Sequence, residues 1–271
     1  MKTIFLIGCG KMGKALVKGW LKSNLIKKII IIEPNNQDIN DLKTDKIELI
    51  FYKSIKEISK FNIIDVLILA VKPQNIDNVL LELKPLSDRI KLIISIIAGI
   101  KINKYEKYLG KNIPIIRAMP NTPASVGEGI TAIVGNKICN NNFFEYSQSI
   151  LSGIGEVITL KKEFQIDAVT AVSGSGPAYF FYFVEALINA GTKLGLENEL
   201  AYRLGISTFI GSGILAKNLS ENLIELRKSV TSPGGTTEAG LKKLKENDKL
   251  FKLLEETVKS AHKRSLEIGK E

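Results

Sequence analysis

The first part of the chain alternates short aliphatic runs with helical stretches, and this alternation constrains the fold more than any other feature. Isoleucine-rich runs of this length suit parallel strands covered on both faces. Between the first two runs, Met12, Ala15, Leu16, Gly19 and Trp20 recur at helical spacing. The order of strand, glycine turn, helix and strand predicts an α/β fold with a doubly wound, Rossmann-type sheet. The predicted strands are 2–7, 28–32, 48–52, 65–71, 91–97 and 113–117, with 130–134 and 156–160 extending one edge.

From about residue 163 onward this alternation stops, and long helical stretches at 177–194, 197–216 and 248–268 replace it. Gly195 is typical of a helix stop. An all-helical region this apolar commonly buries its surplus surface in a partner copy. We therefore predict a dinucleotide-binding Rossmann domain at 1–162, followed by an all-helical C-terminal domain at 163–271 that binds substrate and forms a homodimer.

Charge and composition argue against several classes of protein. The formal net charge is +10, but the lysines are scattered without the aromatic residues of a nucleic-acid groove, so we predict no nucleic-acid partner. The apolar runs 63–71 and 92–100 have the length of strands, not of membrane spans. The apolar start runs straight into glycines, which argues against a signal peptide. Two cysteines make no disulfide framework, and a cytoplasmic location is the simplest expectation.

Gly8, Gly10 and Gly13 form a Gly-x-Gly-x-x-Gly pattern between the first predicted strand and helix. In this context Gly8 makes the tight turn, Gly10 lets backbone approach a pyrophosphate, and Gly13 allows the helix to pack closely. Glu33 lies twenty residues after Gly13, where a carboxylate either binds a ribose hydroxyl or is merely solvated. The pattern predicts a bound dinucleotide, NADPH or NADH.

Three further loops follow predicted strands, at the edge where open parallel sheets bind ligands. In 70–73, Lys72 either faces a cofactor phosphate or is an ordinary exposed lysine. The small residues of 95–99 suit a nicotinamide ring lying against backbone, and prolines stiffen the loop 117–123. The residues that we predict to bind the cofactor are Gly8, Cys9, Gly10, Lys11, Met12, Gly13, Glu33, Asn35, Ala70, Val71, Lys72, Pro73, Ile97, Ala98, Gly99 and Asn121.

Glu33 also bears on the choice between the two cofactors. A carboxylate there accepts both ribose hydroxyls of NADH and repels a 2′-phosphate, and 34–37 contains no arginine to clamp one. We therefore expect NADH to be used at least as efficiently as NADPH. The alternative is that Glu33 turns outward and Asn35, Asn36 or a nearby lysine receives the phosphate.

A second glycine-rich stretch, Ser232-Pro233-Gly234-Gly235-Thr236-Thr237, lies far from the first and is rich in hydroxyls. Backbone without side chains exposes N–H groups that can hold a small carboxylate as well as a phosphate. This stretch predicts the site of the substrate that receives the hydride.

The histidine and cysteine content argues against metal or nucleophile chemistry. The single histidine, His262, lies in a late helical stretch and is expected to be a partly exposed structural residue. Cys9 and Cys139 belong to no histidine and cysteine cluster, which argues against a zinc site or a Cys-His nucleophile. Hydride transfer without a metal fits best.

Together these motifs resemble the pyrroline-5-carboxylate reductase family, whose members make proline in the last step of its biosynthesis. The matching stretches follow the family's order over nearly the whole chain and are 8–13, 70–73, 95–99, 117–123, 167–170, 173–179 and 230–237.

The resemblance implies that a cyclic imine carboxylate is reduced between the 232–237 loop and the serine-glycine stretch 173–176, near a subunit interface. The N–H groups of Gly234 and Gly235 would anchor the carboxylate, and dimers would associate further into a decamer. Thr237 would be the catalytic residue, orienting the ring nitrogen or relaying a proton. The implied substrate-binding residues are Glu163, Ser173, Gly174, Ser175, Glu221, Ser232, Gly234, Gly235, Thr236 and Thr237.

Two alternatives stay open at this point. A β-hydroxyacid dehydrogenase shares the two-domain plan, but Phe180 stands where such enzymes place a catalytic lysine, and no lysine follows before Lys193. A non-catalytic dinucleotide-binding protein is the other, and the second glycine-rich loop argues against it.

Overall fold

The computed structural model describes residues 3–22, 26–35, 42, 47–219 and 221–269. Contacts separate two compact units, residues 1–175 together with 261–271, and residues 176–260. The first unit contains the sheet and the second is helical. The predicted division between 162 and 163 falls just after the last strand, and as a domain boundary it stays a prediction.

The described residues of the first unit form one eight-stranded sheet in the order β3-β2-β1-β4-β5-β6-β7-β8. Every neighbouring pair is parallel except β6 and β7. All eight predicted strands are confirmed, with ends that shift by at most two residues, although Lys2 lies outside the described residues. The strands are β1 Thr3–Ile7, β2 Lys28–Ile32, β3 Glu48–Tyr52, β4 Val66–Leu69, β5 Ile93–Ser95, β6 Ile115–Met119, β7 Gly129–Gly135 and β8 Gly155–Thr159.

Helices cover both faces of this sheet, which is why its central strands are almost purely aliphatic. In β1, Phe5 and Ile7 belong to one buried cluster, while Ile4 and Leu6 belong to the cluster on the opposite face. The helices of this unit are α1 Lys11–Lys22, α2 Ile76–Leu83, α3 Ile102–Leu109, α4 Asn141–Leu151 and α5 Gln165–Val169.

The strand register brings the ends of the central strands level. Ile7 pairs with Ile32 on one side and with Leu69 on the other. The residues that follow these three strand ends therefore meet at one edge of the sheet, and this edge positions the candidate site.

The second unit consists of helices, and the fold class predicted from the sequence is confirmed. The predicted helix at 177–194 is α6 Gly176–Lys193, that at 197–216 is α7 Asn198–Asn218, and that at 248–268 is α10 Lys249–Ile268. The last turns of α10, from residue 261, belong to the first unit. Two shorter helices, α8 Leu223–Ser229 and α9 Thr236–Lys245, were not predicted.

Gly195 separates α6 from α7 with a φ of +98°, as expected of a helix stop. His262 is half-buried on α10, as predicted. Within the described ranges, no helix is long and apolar enough to cross a membrane.

Candidate active site

The turn after β1 requires glycine at its first position. Gly8 has a φ of +90°, and a Cβ there would lie 2.8 Å from the carbonyl carbon of Ala70. A Cβ on Gly13 would lie 2.5 Å from the carbonyl oxygen of Gly8, so α1 packs directly on the turn. Gly10 is exposed, and a Cβ there would have nothing within 4 Å, which leaves the N-terminus of α1 open to a ligand.

Glu33 turns toward this glycine turn and is not merely solvated. One carboxylate oxygen accepts a hydrogen bond of 2.8 Å from the backbone N–H of Cys9, and the other accepts one of 3.1 Å from the N–H of Asn35. The Cys9 side chain is fully buried, so its backbone and not its thiol faces this site. A carboxylate oxygen has two lone pairs, so Glu33 retains acceptor capacity for hydroxyl groups of a ligand.

A cavity of about 510 Å³ opens at this edge of the first unit. It brings together seven of the predicted cofactor residues, including Lys72, which is exposed and lies on the cavity wall. These seven are Gly8, Gly10, Glu33, Asn35, Ala70, Val71 and Lys72. The other predicted cofactor residues, Cys9, Lys11, Met12, Gly13, Pro73, Ile97, Ala98, Gly99 and Asn121, do not line it.

Sequence reasoning missed Lys53, Ser54 and Asn75, which also line the cavity. The sequence does contain a signal for Lys53 and Ser54 as cavity residues, because they directly follow β3, which pairs with β2 in the sheet. The carbonyl oxygen of Tyr52, the last residue of β3, accepts a 2.9 Å hydrogen bond from the N–H of Glu33. The third strand end therefore meets Glu33 at the cavity.

Beyond β5, the segment Ile97–Gly99 is held from within the first unit. The Ser95 hydroxyl contacts the Tyr105 hydroxyl at 2.5 Å and accepts a 3.3 Å hydrogen bond from the N–H of Ile97. Burial raises the pKa of Tyr105 well above its ordinary value, so this phenol stays protonated. Ile97 and Gly99 are buried and Ala98 is half-buried, so Ala98 is the residue of this segment that a ligand can reach.

Glu163, which the resemblance places beside the substrate, is bonded inside the first unit. Its Oε1 accepts a hydrogen bond of 2.8 Å from the N–H of Ile102 and forms a 3.0 Å ion pair with Arg117. Arg117 is 2% exposed, whereas Glu163 keeps 29% of its side chain exposed. The carboxylate therefore neutralises a buried guanidinium and still reaches solvent.

This ion pair predicts an asymmetric response to substitution. Glu163→Ala leaves a buried cation without a carboxylate, and we expect the free energy of unfolding to fall by about 2 kcal/mol or more. Arg117→Met removes the buried charge itself and leaves a carboxylate that water can reach, so a loss below about 1 kcal/mol is expected. Urea denaturation of both single variants and of the double variant measures this, and equal losses would mean that the pair is not buried as described.

The serine-glycine stretch lies against the end of β6. Residues Thr170–Gly174 form a π-helical turn, with a 2.8 Å hydrogen bond from the N–H of Ser175 to the carbonyl oxygen of Thr170. A Cβ on Gly174 would lie 3.0 Å from Cε of Met119, the last residue of β6. Asn121, two residues further on, accepts a hydrogen bond of 2.9 Å from the N–H of Ile130 through its side-chain oxygen. π-helical turns are frequent at functional sites.

In the second unit, the 232–237 stretch forms a turn that leads into α9. Gly235 precedes the helix, and Thr236 and Thr237 are its first residues and are both exposed. The N–H of Gly234 donates to the Glu238 carboxylate at 2.8 Å, and that of Gly235 donates to the carbonyl oxygen of Ser232 at 3.0 Å. The N–H groups of Gly234 and Gly235, which were expected to anchor a carboxylate, therefore already have hydrogen-bond partners. The backbone N–H groups in the first turn of α9 have no acceptor within the helix, so they can bind a carboxylate instead.

Glu221 is exposed and lies outside any regular element, just before α8. Among the residues that the structure describes, no three His, Cys, Asp or Glu side chains are grouped as metal ligands.

The fold and the strand-end cavity are those of the Rossmann-type, dinucleotide-binding class of proteins. The family described as pyrroline-5-carboxylate reductase dimerisation matches residues 163–268. The family described as NADP oxidoreductase, coenzyme F420-dependent, matches residues 3–99. The chain belongs to the pyrroline-5-carboxylate reductase family, as its relatives show.

A pyrroline-5-carboxylate reductase of Synechocystis sp. is 38% identical over 98% of this chain and 97% of its own length. The structure of a pyrroline-5-carboxylate reductase from Coxiella burnetii matches with a TM-score of 0.90 at 35% identity, covering 99% of this chain and 98% of that one. The Plasmodium falciparum pyrroline carboxylate reductase, solved with NADP bound, matches with a TM-score of 0.83 at 33% identity over the same shares.

Proposed function

We propose that this chain reduces 1-pyrroline-5-carboxylate to L-proline with NADPH or NADH, the last step of proline biosynthesis. The observation that carries the proposal is the 232–237 stretch, where hydroxyl residues and the start of α9 offer a site for a small carboxylate in a chain of this family. Consumption of reduced cofactor with 1-pyrroline-5-carboxylate, run beside a six-membered cyclic imine acid, tests it. Cofactor consumption without any proline would refute it.

The described residues at the edge of the sheet fit the cofactor. The open N-terminus of α1 at Gly10 suits a pyrophosphate, and Glu33 suits a ribose. When bound, the reduced nicotinamide supplies the hydride. We propose that Ala98 and Asn121 line the nicotinamide end, with Ile97 and Gly99 buried on either side of Ala98 to shape it, and that Cys9, Lys11, Met12, Gly13 and Pro73 shape the pyrophosphate end.

For the substrate, we propose that the Ser232 and Thr236 hydroxyls and the first N–H groups of α9 bind the carboxylate. The imine becomes electrophilic when its nitrogen is protonated, so a group that holds this proton in place assists the reaction. Thr237 would hydrogen-bond the ring nitrogen and orient it or relay a proton, since a threonine hydroxyl is far too weak an acid to act alone. Ser173, Gly174, Ser175, Glu163 and Glu221 complete the proposed substrate residues.

The preference between the cofactors is a prediction that the position of Glu33 supports. We expect kcat/KM for NADH to equal or exceed that for NADPH, because the carboxylate is held at the cavity by the N–H groups of Cys9 and Asn35. Glu33→Ser removes its repulsion of a 2′-phosphate and should raise the NADPH-to-NADH ratio of kcat/KM by about tenfold or more. Steady-state kinetics with both cofactors is the measurement.

A matched control is Glu82→Ser, because Glu82 is another carboxylate on the cavity wall. It should leave the ratio nearly unchanged. Lys53→Ser tests the alternative in which a lysine receives the 2′-phosphate. If that alternative holds, this variant should lower kcat/KM for NADPH and leave kcat/KM for NADH unchanged. A parent that prefers NADPH by more than about tenfold, with no response to Glu33→Ser, would mean that Glu33 does not face the ribose. Asn36, the other candidate for the phosphate, lies outside the described residues.

We also propose that two copies associate through the second unit. Phe181 and Tyr182 on α6 are 63% and 73% exposed, an unusual display for aromatic side chains. Between α6 and α7 lies a largely apolar cavity of about 650 Å³, whose lining includes Phe181, Ile188 and Phe209. A second copy is the occupant proposed for this surface, because the dimerisation family matches this part of the chain.

Light scattering of Phe181→Asp tests the dimer. A charge on this surface should dissociate the dimer into monomers. Ile63→Asp is the matched control, because Ile63 is a similarly exposed apolar residue of the first unit. A parent mass of ten chains would support the further association into a decamer, and an unchanged mass for Phe181→Asp would contradict this interface.

The β-hydroxyacid dehydrogenase alternative depends on the residue at position 180. Phe180 lies on α6 with its ring 5.8 Å from that of Phe209, so packing and not a catalytic lysine occupies that position. The turnover assay separates the proposed enzyme from a non-catalytic binding protein.

We propose a cytoplasmic location, since no disulfide joins Cys9 and Cys139.

A further inference from the structure

The last turn of α10 packs against the segment that follows β5, within the first unit. Gly99 has a φ of +78°, and a Cβ there would lie 2.5 Å from Cγ2 of Ile268. A Cβ on Gly269 would lie 2.9 Å from the carbonyl oxygen of Gly99. The end of the chain's last helix is thus in direct contact with the backbone of the Ile97–Gly99 segment.

A buried hydrogen bond holds this turn of α10 in place. The Ser265 hydroxyl donates to Oδ1 of Asp167 at 2.8 Å, although the two residues are 98 positions apart. Asp167 is 3% and Ser265 is 5% exposed. Loss of one partner leaves a buried polar group unsatisfied, so this bond is a strong constraint on where α10 ends.

The start of α3, just beyond Gly99, is held from the same part of the chain. Glu163, in the turn that leads into α5 and Asp167, accepts the hydrogen bond from the N–H of Ile102. The backbone between Gly99 and Ile102 is therefore fixed at both ends, by Ile268 on one side and by Glu163 on the other.

We infer that Asp167 and Ser265 are positioning residues for the reaction: their hydrogen bond seats α10 against Ile97–Gly99 and so fixes the backbone beside the nicotinamide end of the cofactor site. The inference rests on the proposed function, which assigns that end to this segment. The segment does not line the cavity at Gly8 and Glu33, so its displacement should affect turnover and leave most of the cofactor affinity intact.

Ser265→Ala in the full chain is the central test. We expect kcat to fall by about tenfold or more, because small displacements in a site are costly for rate, while the dissociation constant of NADH changes by less than about twofold. Asp167→Asn keeps an oxygen that can accept from Ser265 and should retain most of kcat, whereas Asp167→Ala should not. Ser260→Ala is the matched control, since Ser260 is an exposed serine of the same helix.

Hydrogen exchange of the unliganded protein supplies a readout that does not depend on activity. A peptide that covers 97–102 should exchange about tenfold faster in Ser265→Ala, and at the parental rate in Ser260→Ala. Parental exchange in Ser265→Ala, or faster exchange with parental kcat, would overturn the inference. The inference would also be overturned if Asp167→Asn lost as much kcat and as much thermal stability as Ser265→Ala. A parent that does not turn over would refute the proposed function instead, and exchange would then decide whether the hydrogen bond holds the segment.

Discussion

Thr237→Val is expected to lower kcat by roughly ten- to a thousandfold, the range for the loss of one well-placed polar group at a reacting centre. Thr237 is exposed in the first turn of α9, where a hydroxyl can meet the ring nitrogen of a substrate whose carboxylate is held at the same turn. Valine has nearly the same shape but cannot donate a hydrogen bond. Steady-state kinetics with saturating cofactor measures the loss.

The dissociation constant of the cofactor should barely change in this variant, because Thr237 does not line the dinucleotide cavity. Thr237→Ser restores a hydroxyl and is expected to recover most of kcat. Parental kinetics in Thr237→Val, or no recovery in Thr237→Ser, would remove Thr237 from its proposed role.

Alanine at Gly8 and at Gly10 should fail in different ways. Gly8→Ala places a Cβ 2.8 Å from the Ala70 backbone at a φ of +90°, and we expect it to cost about 2 to 3 kcal/mol and to lower Tm by roughly 5 to 10 °C. A Cβ on Gly10 meets nothing within 4 Å, so Gly10→Ala should leave Tm within about 1 °C.

Gly10→Ala should nevertheless weaken the cofactor by about tenfold or more, because its methyl group occupies the approach to the start of α1. Thermal unfolding and cofactor titration of both variants separate the two effects. A Gly10→Ala variant with parental affinity would show that the pyrophosphate does not approach this turn.

The sheet could be predicted from the sequence because its signal is local. The aliphatic runs of β2 and β3 are bounded by polar or turn residues, and both strands have the predicted ends. At β5 the aliphatic run 91–97 is longer than the strand Ile93–Ser95, since Leu92, Ile96 and Ile97 are buried beyond the two ends of the strand. Burial and strand pairing produce the same aliphatic pattern, so composition alone cannot place such an end.

The two helices that were not predicted have weak amphipathic signals. In α8 the residue Leu226 is buried, while its neighbours Leu223 and Ile224 are exposed. α9 begins inside a stretch whose glycines favour a loop, and it contains no buried residue. Apolar periodicity predicts helices that pack against a core, and neither of these two helices presents a clear buried stripe.

The partners of the site residues could not be predicted, because they are distant in sequence. Arg117 pairs with Glu163 across 46 positions, and Cys9 with Glu33 across 24. A motif indicates the type of residue and the strand that it follows. For Glu33 this information was enough to place the residue at the edge of the sheet. The direction of its carboxylate depends on which backbone N–H groups the folded loops present.

The transfer of deuterium from the cofactor to the product tests the central claim most directly. The protein is incubated with 1-pyrroline-5-carboxylate and NADH that carries deuterium at both positions of the nicotinamide carbon that donates the hydride, and the amino acid formed is analysed by mass spectrometry and NMR. The account predicts L-proline with a single deuterium on the ring carbon that was the imine carbon, and Thr237→Val should form the same labelled product more slowly. Oxidation of the cofactor without labelled proline, or no turnover with either NADH or NADPH, would contradict the account.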